Sequence, residues 1–215
     1  MKHKIIKIKV VLLVFILIFL LVNLNQIKAQ DKAQEVLDVG NAQDKIQQEV
    51  DNALAFLPRD YSTGVAKFNK IGLKSIPYIL KIIFNEKQTT LQKVSINPQL
   101  LSIIAQFQSP IAEEGLIKLL NHNSPHIRGD AVYYLGEKKS KKSIPVLVTL
   151  LKDEYIYLTE NSSNGSEKQI LVRDNVVQAL EKITDVVLLP QKNYKQKADA
   201  WLKWWQEKCK KSLND

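Results

Sequence analysis

The sequence predicts an all-α fold, a short α-solenoid of about four helical hairpins with a capping helix at each end. The main observation is an internal repeat, because the segment Ser75-Ile-Pro-Tyr-Ile-Leu-Lys-Ile-Ile83 returns as Ser143-Ile-Pro-Val-Leu-Val-Thr-Leu-Leu151. Between the two copies, Leu116-Ile-Lys-Leu-Leu120 lines up with the end of the second, so the mean period is about 34 residues. This period is typical of stacked helical hairpins, each of which needs its neighbours to bury its apolar face.

Proline and cap residues give the second observation. A Ser or Asn N-cap followed by Pro is a common helix start, because Pro lacks the N–H group that would go unpaired there. Pro98, Pro110 and Pro125 occupy the first helical position, and Pro77 and Pro145 fall one residue later. We therefore predict helix starts at Ser62, Ser75, Asn97, Ser109, Ser124 and Ser143.

Residues 1–29 are predicted to be a secretory signal peptide. Four lysines lie near the N-terminus, and Val10–Val22 is an uninterrupted apolar run that leads to Ala29, a small residue suited to cleavage. The run is short for a membrane-spanning helix, which needs about 20 apolar residues. We expect a mature, exported chain that begins at Gln30, with membrane attachment only if the N-terminal segment stays uncleaved.

The rest of the chain is predicted to form one repeat domain with an N-terminal cap. Residues 30–61 are the capping segment, and the apolar spacing within it predicts a helix at Ala42–Leu57. Residues 62–211 form the repeats, with an insertion at about 153–170 whose apolar flanks around Asn-Gly predict a small hairpin. Residues 212–215 are a C-terminal tail.

A helix from about Gln196 to Lys211 is predicted to close the C-terminal end of the stack. Its apolar stripe carries Trp201, Trp205 and Cys209 at helical spacing. Large aromatic side chains cover much area where the last repeat has no neighbour. We expect Cys209 to be a buried small hydrophobic residue in this stripe, since free cysteines are often buried.

A second family of helices carries a more specific motif. Ile127-Arg128-Gly-Asp-Ala131-Val132-Tyr-Tyr134-Leu135 matches Val172-Arg173-Asp-Asn-Val176-Val177-Gln-Ala179-Leu180. With the Ser-Ile-Pro start of the helix that follows, this order resembles the HEAT-type repeat of the phycobilisome-lyase-like branch, over roughly Ser62–Lys211. The resemblance implies that the arginine of each motif pairs with an acid of a neighbouring repeat, which is a structural role.

The charge balance argues against a nucleic-acid partner. The formal net charge is +9, but five of the 31 basic residues and none of the 22 acids precede Gln30, so the mature charge is +4. That value is ordinary for a small exported domain and gives no broad basic surface. The predicted partner is a protein of unknown identity.

We expect no catalytic, metal or cofactor site. His122 and His126 are the mature chain's histidines, and the Asn-Ser-Pro segment between them prevents the helical spacing that metal sites use. An iron-dependent hydroxylase with this fold uses His-Glu pairs, whereas here Asn123 and Ile127 follow the histidines. Related bilin lyases and DNA glycosylases act inside the cell, where an exported chain would not meet their substrates.

The predicted function is therefore an exported, non-catalytic scaffold for protein–protein interaction. The alternatives are an enzyme or ligand carrier with a site between repeats, and a structural subunit of an envelope assembly. Three surfaces are candidates for the partner: the insertion, the helices that begin with Ser-Ile-Pro or Ser-Pro, and a basic turn. Their residues are, in that order, Tyr155, Tyr157 and Leu158; Tyr78, Lys81, Lys118 and Thr149; and Lys138, Lys139, Lys141 and Lys142.

Overall fold

The computed structural model describes residues 38–85, 90–161, 167–190 and 192–211, together with Lys28 and Lys32. It separates into two units, residues 1–48 and residues 49–215. In the first unit, residues 38–48 are helical. The predicted signal peptide, apart from Lys28, and the predicted tail lie outside the described residues.

The second unit is built from helices and one inserted hairpin, which confirms the all-α solenoid. In chain order the helices fall into four successive pairs, α2/α3, α4/α5, α6/α7 and α8/α9, which is the predicted number of helical hairpins. The elements are α1 (49–56), α2 (Tyr61–Ile71), α3 (Ile76–Ile83), α4 (Thr90–Gln106), α5 (Pro110–Leu119), α6 (Pro125–Glu137), α7 (Ile144–Thr149), β1 (Ile156–Asn161), β2 (Glu167–Leu171), α8 (Val172–Thr184) and α9 (Tyr194–Lys211), with 3₁₀ turns at Gly72–Ser75, Lys141–Ser143 and Leu150–Lys152.

The helices pack in two layers. Helices α4, α6 and α8 follow one another in one layer, while α3 packs against α5 and α7 against α9 in the other. Leu and Ile side chains fill the space between the layers, and Leu116, Leu135 and Leu180 are fully buried. Each hairpin therefore completes its core with side chains from the next, as the repeat pattern requires.

The helix starts agree with the prediction at Ser109 but not at Ser62. Ser109 Oγ accepts a hydrogen bond from Ala112 N at 3.1 Å. Asp60, rather than Ser62, is the N-cap of α2 and accepts from Thr63 N at 3.1 Å, so the helix begins before the predicted cap. The carboxylate is the stronger acceptor, and the hydrogen bonds from the Thr63 hydroxyl, Thr63 N and the Ser62 hydroxyl lower the pKa of Asp60 to about 2.

The two Ser-Ile-Pro segments begin their helices through 3₁₀ turns. Ser75 Oγ donates to Gly72 O at 2.7 Å, and Ser143 Oγ donates to Ser140 O at 2.7 Å. Both serines are therefore buried parts of a continuous turn and neither side chain caps its helix. The equivalent geometry in the two copies confirms that the repeated sequence encodes a repeated structure.

The predicted helix start at Asn97 is wrong. Helix α4 runs through Asn97 and Pro98, so the proline lies inside the helix and removes one of its backbone hydrogen bonds. Leu100, Ile103 and Ile104, all fully buried, follow within two turns. Their burial stabilises the helix despite the proline. Local cap and proline signals in the sequence do not show this burial, so they predicted a helix start here.

Helices at both ends of the unit bury apolar side chains, as expected of capping helices, but the expected burial of Cys209 is wrong. Val50 and Ala53 of α1 are buried at the N-terminal end, and Ala198 and Trp201 of α9 are buried at the other. Cys209 is only half-buried, contrary to our expectation, because burial declines along the stripe toward the end of α9. Among the helices that the structure describes, none has the length and apolar character to cross a membrane.

The insertion forms the predicted hairpin. Strands β1 and β2 are antiparallel, with Leu158 opposite Ile170 and an irregularity in register between Ile156 and Leu158. Its base is tied to the solenoid by Val172 N, which donates to Tyr155 O at 3.0 Å. The hairpin therefore enters α8 directly and lies beside α6.

Candidate functional site

The strongest candidate site is a groove of about 630 Å³ at one edge of the second unit. It lies where the end of α3, the middle of α4, the α5–α6 loop, the start of α6 and strand β1 meet. Its size falls within the range of ligand sites in proteins. It is lined by Ile83, Phe84, Asn85, Pro98, Asn121, His122, Asn123, Ser124, His126, Ile127, Asp130, Tyr157 and Leu158.

His122 holds the floor of the groove to the preceding repeat. Its Nδ1 accepts from Ser124 N at 3.0 Å, which leaves Nε2 to donate to Ile83 O at 3.2 Å. The two hydrogen bonds define one neutral tautomer, and the ring packs 5.2 Å from the ring of Phe84. His122 therefore joins α3 to the α5–α6 loop.

Arg128 also holds the α5–α6 loop in place. Its Nη1 donates to His122 O at 2.8 Å and to Asn123 O at 2.9 Å. Its Nε donates to Asp153 Oδ2 at 2.7 Å, and the two side chains are only 10% and 8% exposed. This confirms that the motif arginine pairs with an acid, although the acid lies after α7 of the same helical hairpin.

The second motif arginine also has a structural role. Arg173 pairs with Glu154, just before β1, and lies 3.6 Å from Asp174. Asp174 itself accepts from Leu171 N at 3.0 Å, at the start of α8. The arginines of both motifs therefore hold the connections around the inserted hairpin.

Tyr157 docks the hairpin onto α6 through a glycine. A Cβ atom at Gly129 would lie 2.1 Å from Tyr157 Cδ2, so a larger residue there would displace the ring. The Tyr157 hydroxyl donates to Asp130 Oδ1 at 2.7 Å. Burial, followed by the neighbouring carboxylate, raises the pKa of Tyr157 well above its usual range. The phenol therefore stays protonated and serves as a donor.

Asp130 is a partly buried carboxylate that faces this groove. Burial raises its pKa above the ordinary value of 3.8, while the hydrogen bond from Tyr157 and the proximity of His126 lower it less. Within the described residues, no lysine or arginine pairs with it. The folded protein therefore holds this negative charge at a cost.

We expect Asp130→Asn to stabilise the protein at neutral pH. Asn keeps an oxygen for the Tyr157 hydroxyl but removes the charge. The cost of ionisation is present above the raised folded pKa of Asp130 and disappears as pH falls below 3.8, so the gain should shrink in acid. A gain of about 1 kcal/mol would raise the melting temperature by roughly 2–4 °C.

Thermal melts of the parent and the variant at neutral and acid pH measure this difference. Asp199→Asn is the control, because Asp199 is exposed on α9 and its loss should change stability little. Lower stability of Asp130→Asn at neutral pH would mean that the protein compensates the carboxylate.

The predicted insertion residues lie at the groove but differ in role. Leu158 and Tyr157 line it, while Tyr155 is 69% exposed and packs 5.5 Å from the Arg128 guanidinium. Tyr157 is half-buried, and its contacts with Gly129 and Asp130 make it the anchor of the hairpin. Tyr155 and Leu158 are the residues that remain accessible.

The predicted residues of the other helical layer lie away from the groove. Lys81, Lys118 and Thr149 are exposed on α3, α5 and α7, and Tyr78 is half-buried. Thr149 Oγ1 donates to Val146 O at 2.7 Å within its own helix. None of these side chains lines the groove, and their role as a partner surface stays a prediction.

Three of the four lysines of the predicted basic turn contact neighbouring repeats. Lys138 Nζ donates to Phe107 O at 2.9 Å, and burial lowers the pKa of its ammonium. Lys139 pairs with Asp185 at 2.9 Å and Lys142 with Glu114 at 2.6 Å. The remaining member, Lys141, is exposed. These contacts join neighbouring repeats, and the role of this turn as a partner surface stays a prediction.

The described residues contain no group of three His, Cys, Asp or Glu side chains placed to hold a metal ion. The two histidines of the groove serve different neighbours. His122 is hydrogen-bonded within the loop, and His126 lies 6.4 Å from the Tyr157 ring in the first turn of α6.

Sequence reasoning missed the residues from distant repeats that complete the groove. Phe84 and Asn85 follow the Ser-Ile-Pro helix, and Pro98 was interpreted as a helix start. A usable signal was present at Asp130, since the matching position in the second motif, Asn175, is uncharged. A charged residue that is present in only one copy of a repeat is not required by the repeat itself, which indicates a role specific to that copy.

Comparison with known proteins agrees with the fold. Residues 98–161 match the family model of HEAT repeats, a span that runs from α4 to β1 and includes most of the groove. No curated protein matches the chain. The phycobilisome-lyase-like branch stays a prediction. The helical pairs, their stacking and this match together identify the architecture as a HEAT-like α-solenoid.

Proposed function

We propose that the protein is an exported, non-catalytic scaffold that binds a partner protein through the groove and the adjoining face of the hairpin. The observation that carries this proposal is the concentration of exposed apolar side chains around the groove. Phe84 borders it directly after α3, Leu158 lines it from β1, and Tyr155 and Ile156, which precede Leu158 in the chain, are exposed. Clustered exposed apolar groups next to polar ones are typical of interaction sites.

The rigidity of the groove supports binding by a preformed surface. The hydrogen bonds of His122 and Arg128 hold the loop on one side, and the contacts of Tyr157 hold the hairpin on the other. A surface that is already ordered loses little conformational entropy when a partner binds. Inserted loops of solenoid proteins commonly lie on one edge and carry recognition.

Export rests on the sequence of residues 1–29. The lysine-rich start, the apolar run and Ala29 have the order of a secretory signal peptide. The partner would then be another protein of the exported space or of the envelope. A structural subunit of an envelope assembly is one form that such a scaffold could take.

The test compares two variants of the full chain expressed with its own N-terminal segment. Tyr155→Ser/Leu158→Ser removes apolar groups at the groove. Val187→Ser/Leu189→Ser removes exposed apolar groups from the loop between α8 and α9, 57% and 47% exposed. After crosslinking in cells, the exported fraction is purified and the crosslinked proteins are quantified by mass spectrometry.

We expect a specific protein to be crosslinked to the parent and to the loop variant (Val187→Ser/Leu189→Ser). The amount crosslinked to the groove variant (Tyr155→Ser/Leu158→Ser) should be at least tenfold lower. The intact mass of the recovered chain should correspond to a start at Gln30. Loss of the partner in the loop variant alone would place the interface at the C-terminal end. Equal crosslinking by all three proteins would rule out the groove and the hairpin as the interface.

A further inference from the structure

Resting on the proposed function, we propose that the groove recognises a segment of the partner that carries a basic side chain, arginine in preference to lysine, next to apolar residues. The basic group would pair with Asp130 between aromatic rings. This assigns a chemical class to the partner segment. It follows from the charge, the rings and the apolar walls of the groove.

The charge of the groove favours a cation. Asp130 is the one carboxylate among the described residues that line it, and these include no lysine or arginine. His122 adds no positive charge in its hydrogen-bonded tautomer, and the other titratable side chains near the carboxylate are His126, Tyr157 and Tyr134. On a chain with an excess of basic residues, this lining is locally acidic.

Asp130 also differs from comparable carboxylates of the protein. The buried or half-buried acids of the second unit generally face a cation, as Asp153 does at Arg128, Asp174 at Arg173 and Glu181 at Lys197. Within the described residues, Asp130 receives a hydrogen bond only from Tyr157, to Oδ1. Its second oxygen therefore remains available for a donor that enters the groove.

The aromatic rings favour a planar cation. Phe84 and His122 form one pair of rings at 5.2 Å, and His126 and Tyr157 form another at 6.4 Å. Guanidinium is planar, weakly hydrated and stacks on aromatic faces, whereas ammonium is a strongly hydrated point charge. Arginine therefore fits the groove better than lysine.

The apolar walls of the groove fit the side chains that would flank the arginine in the partner segment. Ile83, Ile127 and Leu158 offer apolar surface for its methylene groups and for an adjacent apolar side chain. The volume of about 630 Å³ accommodates a short segment and not a folded domain. The hairpin lies beside this volume, so the same segment would also contact Leu158.

The test uses three peptides that differ at one position, acetyl-Gly-Leu-Xaa-Leu-Gly-amide with arginine, lysine or citrulline at Xaa. Citrulline keeps the shape of arginine and lacks its charge. Binding to the full mature chain is measured by NMR chemical-shift changes during titration. The variants are Asp130→Asn and the matched control Asp199→Asn, which removes the same charge from an exposed site on α9.

We expect the arginine peptide to shift the signals of groove residues and to bind at least tenfold more tightly than the citrulline peptide, with lysine between them. Asp130→Asn should abolish this preference, and Asp199→Asn should retain it. Circular dichroism of each variant confirms that the fold is intact. Equal binding of the arginine and citrulline peptides, binding of none of them, or an unchanged preference in Asp130→Asn would each overturn the inference.

The two proposals fail in different ways. If the crosslinked partner depends on Tyr155 and Leu158 but Asp130→Asn retains it, the scaffold proposal stands and the basic side chain is excluded. If the free amino acid arginine binds as tightly as the peptide, the site is one for a small cation and the partner segment is excluded.

Discussion

Leu180→Asp is expected to unfold the C-terminal part of the solenoid. Leu180 is fully buried on α8, the helix that packs against α6, α7 and α9. An aspartate there would place an unpaired carboxylate in the apolar core, at a cost of several kcal/mol. For a domain of this size, this corresponds to a fall in melting temperature on the order of 10 °C or more.

Thermal and urea denaturation followed by circular dichroism measure this loss. Gln178→Asp is the matched control, because it introduces the same group into the same helix at an exposed position and removes one hydrogen bond, to Tyr194. We expect the control to lose about 1 kcal/mol or less. Equal stability of the two variants would mean that Leu180 does not face the core.

Arg128→Ala should be the second most destabilising change. It leaves Asp153 buried without a cation and removes the donors of the His122 and Asn123 carbonyl groups. Breaking one side of a buried ion pair costs about 3–5 kcal/mol. Because Asp153 Oδ1 also accepts from Tyr155 N, the base of the hairpin should loosen as well.

A double-mutant cycle isolates the pair. We expect Arg128→Ala/Asp153→Ala to be less destabilised than the sum of the single variants, by on the order of 1–3 kcal/mol. The double variant should still be less stable than the parent, since the two carbonyl groups stay without their donor. Additive single effects would mean that the ion pair contributes no coupling to stability.

The repeat architecture could be predicted because its determinants are local and recur. The Ser-Ile-Pro segments at Ser75 and Ser143 both form buried 3₁₀ turns, and the two motif arginines both pair with acids. The inserted hairpin was also predictable from its apolar flanks. Because these sequence motifs recur from one repeat to another, each copy strengthens the structural prediction made from the other.

The groove could not be predicted because it depends on contacts between repeats. Phe84 meets His122, and Asp130 meets Tyr157, across connections whose geometry no local pattern specifies. Pro98 was misinterpreted for a related reason, since burial of Ile103 and Ile104 continues the helix past a residue that usually begins one. Packing between residues distant in sequence determines both the groove and the course of α4.

The attachment of the hairpin makes its tip a natural grafting position. Val172 N and Arg173 N donate to Tyr155 O and Asp153 O at 3.0 Å each, and Tyr157 fits over Gly129, so the base of the hairpin is held at three points. Sequence and length beyond Glu160 and before Lys168 can therefore vary while the base keeps its place. Diversified tips on this frame would present new surfaces beside an unchanged groove, much as antibody loops vary on a constant sandwich.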